Sequence, residues 1–483
     1  MRPIPLFGQG VTSYSAVVTR QRRLNVMYDL RPDQDRAAVV AVGTPGSVLY
    51  ATIPNAPVRG YHSVGETLYV VAGNGLYKIN SAGAVLYCTD LPTASGYVGL
   101  ADNSVQLFIV DGVGGYSYNI NTGIKTTVTD VNFPNGATSV AFLNGYFIVN
   151  KPGTREFYVS NLLDGTVWTT LGLPTFGTKE NTSDLLLEVD VLNGNLILWG
   201  QFSIEFWQDV GNALPAVPFQ RVNGASQSWG IAATDSNVKV KNTQMFLGYN
   251  PDGNVQVVML NGYTPVPVST ADIDYLISNF SRVDDAVAMA YTAYGHAVYQ
   301  ITFPTAGRTL AYDTTTQVWH DAQTGPSESA THYGRQSVAW LRGNYFSDAT
   351  TGNVYRFDED VFTDNGVAIP REICTRHIRA DGNQIFLTQL MLDMAAGQGN
   401  EPVVFISVSR DNGNTFGPEK QRRLGAVGQY AKRIVFNRLG YGRDLVIKIR
   451  MVDSCHTKIV WRPFSSPNGG KINRLDKLVN NAL

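Results

Sequence analysis

Cysteine is scarce in this sequence of 483 residues: Cys88, Cys374 and Cys455 are an odd number at wide spacing, which argues against a disulfide framework and for free thiols. Charge is scarce too, at 16% of residues, below what the solvent faces of many helices would carry. No apolar run nears the roughly 18 residues of a membrane-spanning helix, so no membrane insertion is expected. The opening MRPIPLFGQG lacks the apolar stretch of a secretory signal, and the expected compartment is cytosol-like. H-E-x-x-H, G-x-x-x-x-G-K-[ST], a strand-linked G-x-G-x-x-G and G-x-S-x-G are all missing. No catalytic, cofactor-binding or metal residue is therefore assigned, and the expectation is a protein that is not an enzyme.

Glycine and aromatics are plentiful, with 47 Gly, 24 Tyr and 21 Phe, a composition for strands and tight turns. The stretch Asn193 to Gly211, NGNLILWGQFSIEFWQDVG, alternates at the period of a strand on both sides of a turn. Apolar groups fall on both of its faces, as in a strand pair held between neighbouring sheets. Six more hairpins of this plan begin near Leu68, Leu107, Gly145, Met245, Ala297 and Asn344, at separations of 38 to 52 residues. That is close to the period of a four-stranded propeller blade, and the prediction is an all-β chain with a β-propeller of about seven blades. A multi-sheet sandwich with coincidental spacing is the alternative. Asn74-Gly75, Asp111-Gly112, Asn144-Gly145, Asn193-Gly194 and Asp252-Gly253 supply turn residues tolerant of positive φ. One helix is predicted around Ile273, Leu276, Ile277 and Phe280, with Thr270 as its cap and a packing role beside a blade.

The net charge of −1 is unevenly placed. From Arg371 onward there are 18 Lys and Arg against 9 Asp and Glu, and before it 20 against 30. This break marks a domain boundary near residue 370. The expected organisation is an arm over 1–36, a propeller over 37–365, a smaller antiparallel β-sandwich over 366–465, and a tail over 466–483. The arm's alternating Leu24, Val26 and Tyr28 make it a candidate closing strand for the ring, or an edge strand on the first blade. The tail is flexible in composition with a short amphipathic segment, Ile472, Leu475, Leu478 and Val479.

Two stretches invite a chemical reading. Ser409 to Phe416, SRDNGNTF, is similar to the Asp-box of sialidases, a hairpin turn whose Ser and Asp bond backbone, so its role is structural. One copy is present where sialidases show several, and a carbohydrate-active or carbohydrate-binding propeller stands as the alternative function; a clustered arginine triad and aromatic platforms in the central channel would distinguish it. Cys374 and His377 with Cys455-His456 would make four metal ligands, but adjacent Cys-His suits a tetrahedron poorly, and a buried thiol with ordinary imidazoles is the plainer reading.

Four stretches of the middle of the chain are distinctive: SIEFWQDVGNA (Ser203 to Ala213), SWGIAATDS (Ser228 to Ser236), GYTPVPVSTADIDYLI (Gly262 to Ile277) and LAYDTTTQVW (Leu310 to Trp319). Through them, residues from about 25 to 460 resemble the packaged-DNA stabilisation, or tail-hub, proteins of short-tailed, podovirus-type phages. VGTPG (Val42 to Gly46), SRDNGNTFG and FNRLGYGRDLVIKIRM (Phe436 to Met451) support the resemblance. It implies a virion tail protein assembled in the host bacterial cytoplasm. Its implied partners are portal and adaptor ring proteins, a tail needle, tailspikes or fibres, and further copies of itself in a hexameric ring. The basic C-terminal region, with Arg422, Arg423, Arg433 and Arg443, is expected to meet an acidic protein surface or, alternatively, packaged DNA without sequence preference.

Overall fold

A computed structural model describes residues 21–30, 39–327, 330–380, 382–397, 401–453, 455 and 458–464. The arm before residue 21 and the amphipathic tail segment lie outside the described residues. Six antiparallel four-stranded meanders follow one another over 58–90, 99–127, 140–178, 186–221, 230–267 and 287–321, called blades 1 to 6 below. Blade 5 has its first strand in two pieces, Gly230–Ile231 and Val238–Val240. A further blade is composite. Its strands Ser337–Trp340, Gly343–Ser347 and Asn353–Asp358 are completed by Gly46–Thr52 from the other end of the chain. Each sequence-predicted hairpin is the middle strand pair of one of these sheets.

The two-faced apolar pattern has a direct cause. Leu196 and Leu198 enter a core shared with blade 3, while the alternate Ile197 and Trp199 enter a core shared with blade 5. Every neighbouring pair of sheets shares such a core, and the one between the composite blade and blade 1 closes the circle. The first strands touch one another around the ring. A blade therefore has no solvent face, which is why its strands lack a polar side.

Turns follow their residue chemistry. Asn144-Gly145 and Asn193-Gly194 have φ of 49° and 94°, and 51° and 77°. These are primed turns that match strand twist. At Asn74-Gly75 the sequence reading is one step off: Gly73 takes the positive φ of 51°, and Gly75 already begins the next strand. The helix spans Ala271–Ser278 and buries Ile273 and Ile277 between blades 5 and 6. Thr270 holds the cap position without a side-chain cap bond. Instead Asp274 accepts a 2.7 Å bond from Gln256, fixing the helix to its blade.

The expected closing strand needs correction. Val26–Leu30 pairs with Val39–Gly43 in a sheet with Lys458–Phe464, Ile385–Met394 and Ile434–Gly442, one layer of the sandwich. Val26, Tyr28 and Ala41 lie in the sandwich core with Leu390, Phe436 and Ile447. Ring closure falls to Gly46–Thr52, whose exposed and half-buried residues hide the role from a hydropathy pattern. The other sandwich layer is continuous with blade 6: its outer strand Val318–Asp321 pairs with Arg23–Leu24, which pairs with Arg371–Cys374, then Asp444–Met451, Val403–Ser409 and Lys420–Arg423.

Candidate assembly interface

The joint between the two domains is built by four consecutive residues. Asn25, buried at φ 52°, donates to the carbonyls of Gln323 (2.9 Å) and Pro370 (2.8 Å) and accepts from the Gln323 N–H at 2.9 Å. Arg22 and Arg308 both reach Asp321, at 3.0 and 2.9 Å. The buried Arg23 lies 3.8 Å over the Tyr28 ring and donates to the Trp319 carbonyl. Asp364, pushed up to about 6 by burial, accepts from Ser47 and Thr324 at this same seam. With a backbone sheet running through it, the joint holds sandwich and blade 6 as one rigid unit.

The sandwich carries the basic residues. In its edge strand, Lys420 donates to the carbonyls of Asn437 (3.0 Å) and Arg438 (2.6 Å), and the Arg422 Nε to that of Val435 (2.9 Å). These cations cap the exposed edge of Ile434–Gly442, a defence against edge pairing. Arg423 pairs with Glu401. Arg433 and Arg443 are exposed.

At the far end of the sandwich from the joint, Phe386 and Tyr441 are cross-strand partners 62% and 53% exposed, with ring centroids 5.5 Å apart. Arg410 packs over Gly440, Arg443 stands in the following turn, and Arg379 bonds Asp444 at 2.6 Å. The Asp-box hairpin is at this end. Ser409 accepts the Gly413 N–H at 2.9 Å, and Asp411 takes the Thr415 N–H and hydroxyl at 2.9 and 2.6 Å. Those Thr415 bonds, with Ser409, hold the Asp411 carboxyl down at about 2. Phe416 sits under Lys448 at 4.3 Å. All of this stabilises a turn and none of it assembles a reactive group.

Among the described residues no cluster of three potential metal ligands occurs. His377 bonds Asp444 at 2.7 Å, Cys374 is buried with its thiol pushed up by burial, and Cys455 lies in the sandwich core. His456 lies outside the described residues. An arginine triad is equally missing from the innermost strands, which carry one arginine. That residue, Arg59, is buried and spends its guanidinium on the carbonyls of Gly73, Thr93, Ser95 and Gly96 at 2.6 to 2.9 Å.

A groove opens on the outer rim between blades 3 and 4, with a volume of about 600 Å³. Phe176, Trp207, Val210, Val217 and Phe219 line it together with the polar Thr178, Glu180, Asn212 and Gln220. Phe176 stacks on Tyr158 at 5.4 Å, and Trp207 meets Phe157 edge-on at 5.2 Å. The fully buried Glu205 fixes the floor, accepting from the Trp207 indole at 3.0 Å and the Glu180 N–H at 2.9 Å. Beside it the hairpin Thr169–Pro174 raises Leu171, 86% exposed at φ 53°, a conformation that leucine adopts at a cost. This rim surface was missed by sequence reasoning; Leu171, between the third and fourth strands of blade 3, and Phe176, which begins the fourth, stand where polar turn residues are usual and are the available signal.

A propeller joined to a sandwich is the architecture that the family comparison describes. Family models for bacteriophage P22 Gp10, β-propeller, and bacteriophage P22 Gp10, β-sandwich, match residues 4–362 and 370–461. The chain belongs to the bacteriophage P22 Gp10 family. It is thus a structural phage tail protein of the type that stabilises packaged DNA. No curated protein matches it. Among solved structures, the Gp10-family chain is similar to the extracellular domain of a putative hybrid two-component system from B. thetaiotaomicron, at 6% identity and TM-score 0.44 over 74% of this chain and 45% of that one. It spans less than half of that relative. Others are the computationally designed Ika8 protein (10%, TM-score 0.38, 74% and 99% of the two chains) and the WD40 β-propeller domain of Doa1 (12%, 0.39, 64% and 96%).

Proposed function

We propose that this protein is a tail hub: several copies form a ring below the portal and adaptor rings, hold the packaged genome in, and give attachment to a tail needle and to tailspikes or fibres. The observation that carries the reading is the sheet that runs unbroken from blade 6 through Arg23–Leu24 into the sandwich. A plug against packaged DNA must transmit load between neighbours without hinging, and a shared backbone sheet does this better than a linker between domains. Propeller edges are short and protected, so copies can be crowded into a ring without edge-to-edge aggregation. Assembly in the bacterial cytoplasm suits the free thiols of Cys88, Cys374 and Cys455. No observation favours the carbohydrate alternative.

The test is a phage in which this gene is interrupted. Its heads should fill with DNA, lose it on standing, and carry no needle or spikes. Heads that keep both their DNA and complete tails without this protein would refute the reading.

A further inference from the structure

The rim groove and the sandwich tip lie on opposite sides of one molecule. The sandwich is attached at blade 6 and the composite blade, the first through Arg23–Leu24 and the second through the strand Gly46–Thr52 that directly follows Val39–Gly43. Counting around the ring, blade 3 is three blades from blade 6 through blades 5 and 4, and three from the composite blade through blades 1 and 2. The groove's exposed lining is more polar than apolar: Phe176 and Val210 are its exposed apolar side chains, and it holds one carboxylate, Glu180, and no cation. Asp209, next to Val210, adds a second negative charge nearby. The tip carries an exposed aromatic pair, with Arg379, Arg410 and Arg443 at the same end beside the carboxylates of Asp411 and Asp444. Two exposed aromatic rings on one sheet face cost hydration free energy unless something covers them, and aromatic and arginine side chains are those that dominate interface cores.

We propose that Phe386 and Tyr441 at the sandwich tip of one copy seat in the groove between blades 3 and 4 of a second copy, with Arg443 beside Glu180. This rests on the ring reading above and names the surfaces that would make the ring. The contact is heterologous, since different patches meet, so each copy keeps one free tip and one free groove and the chain of contacts closes only when it returns to the first copy. A self-complementary patch would stop at two. The basic sandwich is thereby used on the acidic propeller of the neighbour, which accounts for the opposed charges of the two regions without a DNA contact.

The experiment uses the full-length chain with Cys88→Ser, in particles assembled during infection, treated with a short bis-maleimide. A chain carrying both Phe386→Cys and Val210→Cys should give a ladder of cross-linked species rising to the complete ring. Either cysteine alone should give no ladder, and co-expression of the two single variants should give dimers and nothing larger. Arg443→Glu should lower incorporation several-fold, and adding Glu180→Arg should restore it, which DNA binding by Arg443 would not allow. A single variant that cross-links to its own kind, or an incorporated double variant without a ladder, would overturn the proposed contact and leave the hub reading intact. Particles that hold one copy of the chain would instead overturn the ring reading itself.

Discussion

Lys179→Met tests how the groove is held in shape. Lys179 is fully buried, and its ammonium donates to Asp184, to Ser203 and, at 3.1 Å, to Thr182. Asp184 in turn accepts the Phe202 N–H at 2.8 Å and the Ser203 N–H at 3.1 Å, so the pair ties the segment before Glu180 to a turn of blade 4. Removing the cation leaves a carboxylate only 5% exposed without its counter-charge. Breaking such a pair costs about 3–5 kcal/mol, and the N–H donors that remain place this case near the lower end. A cooperative unit of about 300 residues has an unfolding entropy near 0.6 kcal/mol/K, so about 3 kcal/mol lowers the melting temperature by about 5 °C. The pH dependence carries the sharper test. Burial raises the Asp184 carboxyl, but Lys179, Thr182 and the Phe202 N–H outweigh it and hold it at about 2. A depressed carboxyl contributes stability that is complete above its unfolded value near 4 and is lost as pH falls through about 2, here roughly 2 kcal/mol. In the variant that contribution is much reduced, since only Thr182 and the N–H donors remain, so the gap between the two proteins should narrow from pH 4 to pH 2. Urea unfolding at pH 7, 4 and 2.5 measures it; a loss under 1 kcal/mol at pH 7, or a gap that widens in acid, would refute the reasoning.

Three further outcomes are expected. Gly46→Ala would put a Cβ 2.4 Å from the Val361 carbonyl oxygen and 2.5 Å from that of Thr363, so it should open the composite blade and lower the melting temperature more than alanine at an exposed strand position does. Arg422→Glu removes a cap from the Val435 carbonyl and places a carboxylate against it, so it should destabilise the isolated protein in urea; an unchanged midpoint would mean that Arg422 is free to bind. Asp411→Ala should speed amide exchange at Thr415 and lower the melting temperature of the sandwich without removing a hydrolytic activity, and sialoside hydrolysis by the unaltered chain would contradict this.

Strand period, turn chemistry and hairpin spacing are local properties, and they determined the all-β class, the middle strand pair of every blade and the helix at Ile273 and Ile277. The Asp-box was legible for the same reason, since Ser409 and Asp411 bond within their own turn. The family could also be read from dispersed stretches, and Gly46 at the end of VGTPG proves to begin the closing strand. The partners that a strand takes from far along the chain were decided only in three dimensions. Val26 and Tyr28 alternate as any edge strand does, and nothing local says that their core contains Phe436 and Ile447. Closure by Gly46–Thr52 depends on a sheet some 300 residues away. Charge shows the same division. Composition located the basic region, but whether a cation is free or spent on a backbone carbonyl, as at Arg422, depends on which strand lies beside it. The groove at Phe176, Trp207 and Val217 likewise exists because two blades splay at their rims, a geometry set by the ring and by no single stretch of sequence.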